Sequence, residues 1–78
     1  MVRPGMPFRY IGKSSKIRRA LTPPIKDAKP QLVGTVDKPL KTGGVVCSFE
    51  VDRVGEDGEK TTKTVGLILH AHNLLPLV

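Results

Sequence analysis

Apolar and polar residues alternate along two runs in the C-terminal half of the chain. Val45, Cys47, Phe49 and Val51 hold every second position of the first run, and Val65, Leu67, Leu69 and Ala71 those of the second. A period of two puts each set on one face of a β-strand. Between them stands Gly55-Glu56-Asp57-Gly58, a turn sequence. The stretch 44–72 therefore reads as a β-hairpin.

Two loop lengths compete. A two-residue Asp57-Gly58 turn would set Phe49 opposite Gly66 and Cys47 opposite Ile68, splitting the apolar sets across both faces. A three-residue loop, Glu56-Asp57-Gly58, sets Phe49 opposite Val65, Cys47 opposite Leu67 and Val45 opposite Leu69. A slip of one residue would send a whole apolar set into water, so the second register is expected. It also places Gly58 where a type I turn and bulge call for positive φ. The other face then carries Ser48, Glu50, Asp52, Thr62 and Thr64, which suit solvent.

Residues 31–37 read as a further strand, with Leu32 and Val36 on one face and Gly34 marking a bulge or a close approach. Residues 38–44 are a loop. Upstream, Pro4, Gly5 and Pro7 disfavour helix, and the alternation of Phe8 and Tyr10 with Arg9 and Ile11 allows a fourth short strand over 7–11. A short helix over 15–21 is expected, capped by Ser14 or Ser15, with Ile17 and Leu21 one turn apart and Pro23-Pro24 ending it. Residues 23–30 read as an extended, proline-stiffened linker. The apolar tail Leu74-Leu75-Pro76-Leu77-Val78 is expected to pack across an open face or a neighbour.

The fold class is thus mostly β: a small antiparallel meander or partly open barrel of three to four strands, with an extended basic Pro-rich N-terminal arm. The arm is residues 1–30 and the β domain residues 31–78. An SH3-like or OB-like barrel is compatible with this pattern.

Composition sharpens the picture. The chain has 78 residues, no Trp, one Tyr and two Phe, so a single small core with few large anchors is expected. Help from an oligomer, a nucleic acid or a larger assembly would compensate. One cysteine excludes an intrachain disulfide, and Cys47 falls on the inner face, where a buried structural thiol is expected. The N-terminus shows no apolar signal-peptide run, and the most apolar stretch, 65–78, is short and interrupted by His70, His72 and Asn73. No membrane association is expected; the location is intracellular (cytoplasmic) or virion-associated.

Charge divides the chain. Residues 1–30 hold eight cations against Asp27 alone, a balance of +7, whereas residues 31–78 hold five cations against six carboxylates. A cationic segment beside a neutral body points to a polyanion or an acidic protein surface. It gains affinity by releasing counterions from phosphates. A high pI that merely keeps a small protein soluble is the plainer explanation of the same numbers.

Chemistry for catalysis is weakly represented. No Gly-rich phosphate loop precedes a helix, and no serine has a base at recognisable spacing. Glu50 and Asp52 lie on the solvent face with nothing apolar to raise a carboxyl pKa. His70 and His72, on one side of a strand, offer two imidazoles but no third metal ligand. No enzymatic activity, metal or cofactor is expected.

The function expected is that of a non-enzymatic nucleic-acid-binding protein, for RNA or a ribonucleoprotein surface rather than sequence-specific DNA. Its contacts would be Arg3, Arg9, Lys13, Lys16, Arg18 and Arg19, with Phe8 and Tyr10 stacking on bases. The alternative is a structural or accessory subunit of a virion or other large assembly, lacing onto neighbouring chains as a homo-oligomer or through an acidic protein surface.

Overall fold

A computed structural model of the chain describes residues 2–77. Five strands form one antiparallel sheet: β1 (Pro7–Tyr10), β2 (Val33–Pro39), β3 (Gly44–Val54), β4 (Lys60–His70) and β5 (Leu74–Pro76). One helix, α1 (Ser15–Ala20), lies between β1 and β2, and a 3-10 turn, Ala71–Asn73, leads from β4 into β5. The spatial order is β4-β3-β2-β1-β5, an open sheet whose edges are β4 and β5.

The hairpin forms in the register that its apolar alternation demands. Val45 faces Leu69, Cys47 faces Leu67 and Phe49 faces Val65. The Gly55 N–H donates to the Glu59 carbonyl at 2.7 Å, which closes a three-residue loop, and Gly58 sits at φ 81°. That left-handed conformation is open to glycine because it has no Cβ to clash. Val45, Cys47, Phe49 and Val51 are all buried, and Glu50 and Asp52 face water on the other side.

β2 enters through a glycine. Gly34 lies between Phe8 of β1 and Phe49 of β3, and the two rings meet edge to face with centroids 5.4 Å apart. A Cβ on Gly34 would stand 2.7 Å from the Phe49 ring and 2.8 Å from the Ser48 carbonyl oxygen. The missing side chain is what lets the two aromatics close over the sheet. Edge-to-face pairs of this kind add about 0.5–1.5 kcal/mol beyond their buried area. Asp37 is an extra residue between the Val36–Cys47 and Lys38–Val46 pairs. This β-bulge bends β2 at its end.

The core gathers Phe8, Tyr10, Leu21, Val36, Val45, Cys47, Phe49, Val51, Leu69 and Leu74, with Ile17 of α1 packed against it. α1 therefore covers the inner face of the sheet. Ser14 caps it, accepting a hydrogen bond from the Ile17 N–H at 3.3 Å. Two turns of helix are marginal alone, and burial of Leu21 supplies the tertiary support. The Leu21 carbonyl accepts from the Gln31 N–H at 2.8 Å, drawing the connection back to β2.

β3 and β4 outrun their neighbour. β2 pairs with β3 only from Val45 to Phe49, so the far half of β3 lacks a strand on that side. Gln31 substitutes for one: its Oε1 accepts from the Asp52 N–H at 2.8 Å and its Nε2 donates to the Asp52 carboxylate at 2.7 Å. The projecting hairpin lengthens the molecule to 42 × 23 × 22 Å.

Three expectations need correction. The sheet has five strands rather than three to four, because the tail forms β5 against β1. The first thirty residues are not a free arm. β1 is an internal strand between β2 and β5, and even before it Val36 exchanges hydrogen bonds with the Gly5 N–H and the Met6 carbonyl. The 23–30 linker is not extended polyproline. It turns, with the Ala28 N–H donating to the Ile25 carbonyl and Asp27 at φ 61°.

Candidate nucleic-acid interface

The eight residues expected to contact nucleic acid fall into three groups. Phe8 and Tyr10 are core, 0% and 1% exposed, so neither ring can stack on a base in this fold. Their alternation pointed to a strand. It could not show that the strand would be central, with its apolar side turned inward. The third large ring, Phe49, is equally buried, so no Phe or Tyr side chain lies on the surface.

Arg9 projects from the opposite face of β1. Its cross-strand neighbours are Val33 and Leu75, both about half exposed. Arg3 lies before β1, beside a shallow open concavity of about 290 Å³ lined by residues 3–7.

The remaining four are held by α1 and its approach. Lys13 and Lys16 are exposed, Arg19 is exposed, and Arg18 is half-buried near the helix C-terminus. Because Ile17 and Leu21 turn toward the core, these cations belong to the inner side of the molecule. Arg18 and Arg19 lie in the last turn of α1, where the negative end of the macrodipole suits a cation. Lys26 and Lys29 extend the same connection, both exposed.

Two further cations belong with this group. Strand parity puts Arg53 and Lys63 on the same side of the sheet as Phe49 and Val65, hence on the side that α1 covers. Arg53 is half-buried, and among the described residues its Nε is a buried side-chain polar atom without a hydrogen-bond partner. Orphaned donors of this kind mark sites that want an acceptor. Sequence reasoning missed both residues by assigning every cation after residue 30 to a neutral body. The signal was available in the odd-numbered alternation along the two strands.

Three carboxylates take the other side, on neutral partners, while Glu56, Asp57 and Glu59 lie at the hairpin turn. Thr64 Oγ1 donates to Glu50 at 2.7 Å, Ser48 Oγ donates to Asp37, and Gln31 holds Asp52. Charge is thus sorted by the alternation of β3: Arg53 toward the helix side, Glu50 and Asp52 away from it.

Cys47 is buried and its Sγ–H donates to the Val45 carbonyl at 3.4 Å. Burial, and secondarily the Asp37 charge, push its thiol from 9.0 up to about 11. A nucleophilic cysteine needs the reverse shift. The His70 and His72 rings lie 4.8 Å apart, and no group of three or more ligating side chains is gathered among the described residues. Among the described residues, no helix is long and apolar enough to cross a membrane.

Comparison of the chain with family models, with curated proteins and with solved structures finds no match in any of the three.

Proposed function

We propose that this is a non-enzymatic protein that binds the phosphate backbone of nucleic acid, RNA in the first instance, through the side of the sheet covered by α1. The observation that carries the proposal is the sorting of charge. Lys13, Lys16, Arg19, Lys26 and Lys29 are exposed on the α1 connection with only Asp27 among them, and Arg53 and Lys63 share that side. Three of the six carboxylates after residue 30, Glu50, Asp37 and Asp52, are engaged by Thr64, Ser48 and Gln31, and the other three, Glu56, Asp57 and Glu59, lie at the tip of the hairpin. With the aromatic rings buried, binding is by charge rather than by stacking, and sequence preference is weak.

The test is anisotropy titration of a labelled single-stranded RNA across a salt series. Lys16→Glu with Arg19→Glu is compared with Arg9→Glu. The helix pair should weaken binding at least tenfold and flatten the salt slope by about 1.4, two contacts at ~0.7 each. Arg9→Glu should do little. Equal losses from both variants, or binding indifferent to salt, overturn the proposal. Deleting residues 1–22 would not test it, because β1 goes with them.

A structural subunit of a larger assembly is the second reading. It rests on the outer face, where Arg9 stands between Val33 and Leu75 with Ile11 and Leu77 close in sequence to the same strands, all four apolar residues 46–50% exposed. A contiguous apolar surface of that kind is a usual mark of protein contact. A chain that is indifferent to RNA and elutes as a large particle favours it.

A further inference from the structure

β4 is the long edge of the sheet, and beyond Lys60 and Lys63 it is unprotected. It pairs with β3 along all eleven of its residues and with no other strand, and no loop hydrogen bond covers its far side among the described residues. The other edge is guarded: β5 has three residues and ends in Pro76. β4 contains no proline, and its pairing with β3 is continuous, without a bulge. Edges without such devices are templates for another strand.

The polar groups on offer can be named. The Gly55–Glu59 hydrogen bond fixes which residues of β4 point their N–H and C=O toward β3. Because the roles alternate along an antiparallel strand, Lys60, Thr62, Thr64, Gly66, Ile68 and His70 turn theirs outward.

We infer that the partner of this edge is the β4 strand of a second copy, antiparallel about a two-fold axis through Leu67. In that register Leu67 faces Leu67, Val65 faces Leu69, Gly66 faces Ile68 and Thr64 faces His70. Three features select it. Ile68 is the most exposed large apolar residue, at 66%, and nothing lies within 4 Å of where a Gly66 Cβ would be. Each Ile68 therefore covers the bare Gly66 of the other copy, twice by symmetry. On the inner face the half-buried Val65 and Leu67 acquire apolar neighbours. Shifting to a longer overlap instead drives Lys63 against Leu69 or Leu67. Shifting the other way shortens the overlap to five residues a side. Seven residues a side give about eight inter-strand hydrogen bonds and a ten-stranded sheet across the dimer. The contact is small, so association is weak and concentration-dependent.

This inference stands apart from the nucleic-acid proposal, since it rests on the unpaired backbone of β4 rather than on the placement of charge and is tested without RNA. Sedimentation of the full chain from micromolar to millimolar concentration should show a monomer–dimer equilibrium. Amide exchange should slow with concentration at Thr64, Gly66, Ile68 and His70, but not at Lys60 and Thr62. Ile68→Lys leaves an exposed position exposed, and Thr64→Pro removes an outward N–H together with the exposed Thr64–Glu50 hydrogen bond, leaving the backbone pairing with β3 in place. Each should raise the dissociation constant at least about tenfold while the circular dichroism stays that of the wild type. A monomer at every concentration overturns the inference. So does a dimer that protects Lys60 and Thr62 equally, or one that persists in both variants. Should either variant fail to fold, the exchange pattern of the wild type decides alone.

Discussion

β1 and β4 invert the relation between pattern and importance. β1 has four residues, begins at Pro7 and shows little periodicity, yet it lies inside the sheet and buries Phe8 and Tyr10 completely. β4 has eleven residues and a long apolar alternation, yet it forms an edge and buries only Leu69. Alternation reports which way side chains point. Centrality depends on which strands find a neighbour on both sides, and on where the few large rings go. In a chain with three Phe and Tyr residues, the strand that carries two of them becomes structural whatever its length.

The sharpest way to break that comparison is to truncate one side chain on each strand. Phe8→Ala should cost about 3–5 kcal/mol, which a domain this small does not survive intact. Leu67→Ala, at a half-buried edge position, should cost about 1 kcal/mol. Urea melts at low micromolar concentration check both. Comparable losses would mean that β4 bears as much of the core as β1.

Gly34→Ala probes the same centre from the gap between the rings. The added methyl meets both the Phe49 ring and the Ser48 carbonyl, and the backbone oxygen cannot swing aside. A loss of about 1–3 kcal/mol is expected. In a crystal structure of the variant, the Phe8–Phe49 pair should be displaced. A neutral substitution would show that the ring pair has slack.

The hairpin was legible because each local cue agreed with the others. The alternation of Val45 to Val51 and Val65 to Ala71 set the faces, and Gly58 set the loop, so register followed from burial alone. α1 was legible from Ser14 and the Pro23-Pro24 stop. β5 and the central place of β1 were not. Leu74 to Pro76 is too short for a period to show, the alternation of Phe8 and Tyr10 marks a strand but not its place in the sheet, and the pairing of the two spans most of the chain. The Asp37 bulge is set by register against β3, which no local residue announces. For the candidate site, the cations of α1 were readable from composition. Which side they share with Arg53 and Lys63 required the parity of strands whose order was unknown. The stacking role of Phe8 and Tyr10 failed for the same reason: an aromatic among cations looks alike whether its strand is free or internal.

Cys47 tests how dry the inner face is beneath β3 and β4. Its thiol is raised to about 11 in the fold and titrates near 9 in the unfolded chain. The neutral form is therefore the one the fold favours. Its contribution is whole below pH ~9 and is lost as pH climbs through ~11. Wild type should lose more stability than Cys47→Ala over that window in paired urea melts. At pH 8 the native thiol should react with an aromatic disulfide at least about a hundredfold slower than the denatured chain. Fast labelling would mean that the strands part readily there.

The smallest effect is expected on the outer face, where β4 meets β3 through Thr64 and Glu50. Their hydrogen bond is 2.7 Å long, but both side chains are exposed. Water competes for each group, so cross-strand pairs of this kind contribute about 0.2–1 kcal/mol. Thr64→Val keeps the β-branched shape and removes only the hydroxyl, so it isolates the bond from strand propensity. Glu50→Gln weakens the acceptor from the other end, and a double-mutant cycle at neutral pH should return a coupling inside that range. A coupling above ~2 kcal/mol would mean that the outer face is far drier than its exposure implies, as it would be if another surface covered it. The measurement therefore belongs in dilute monomer and again at high concentration. A rise in coupling between the two would report that β4 has ceased to be an edge.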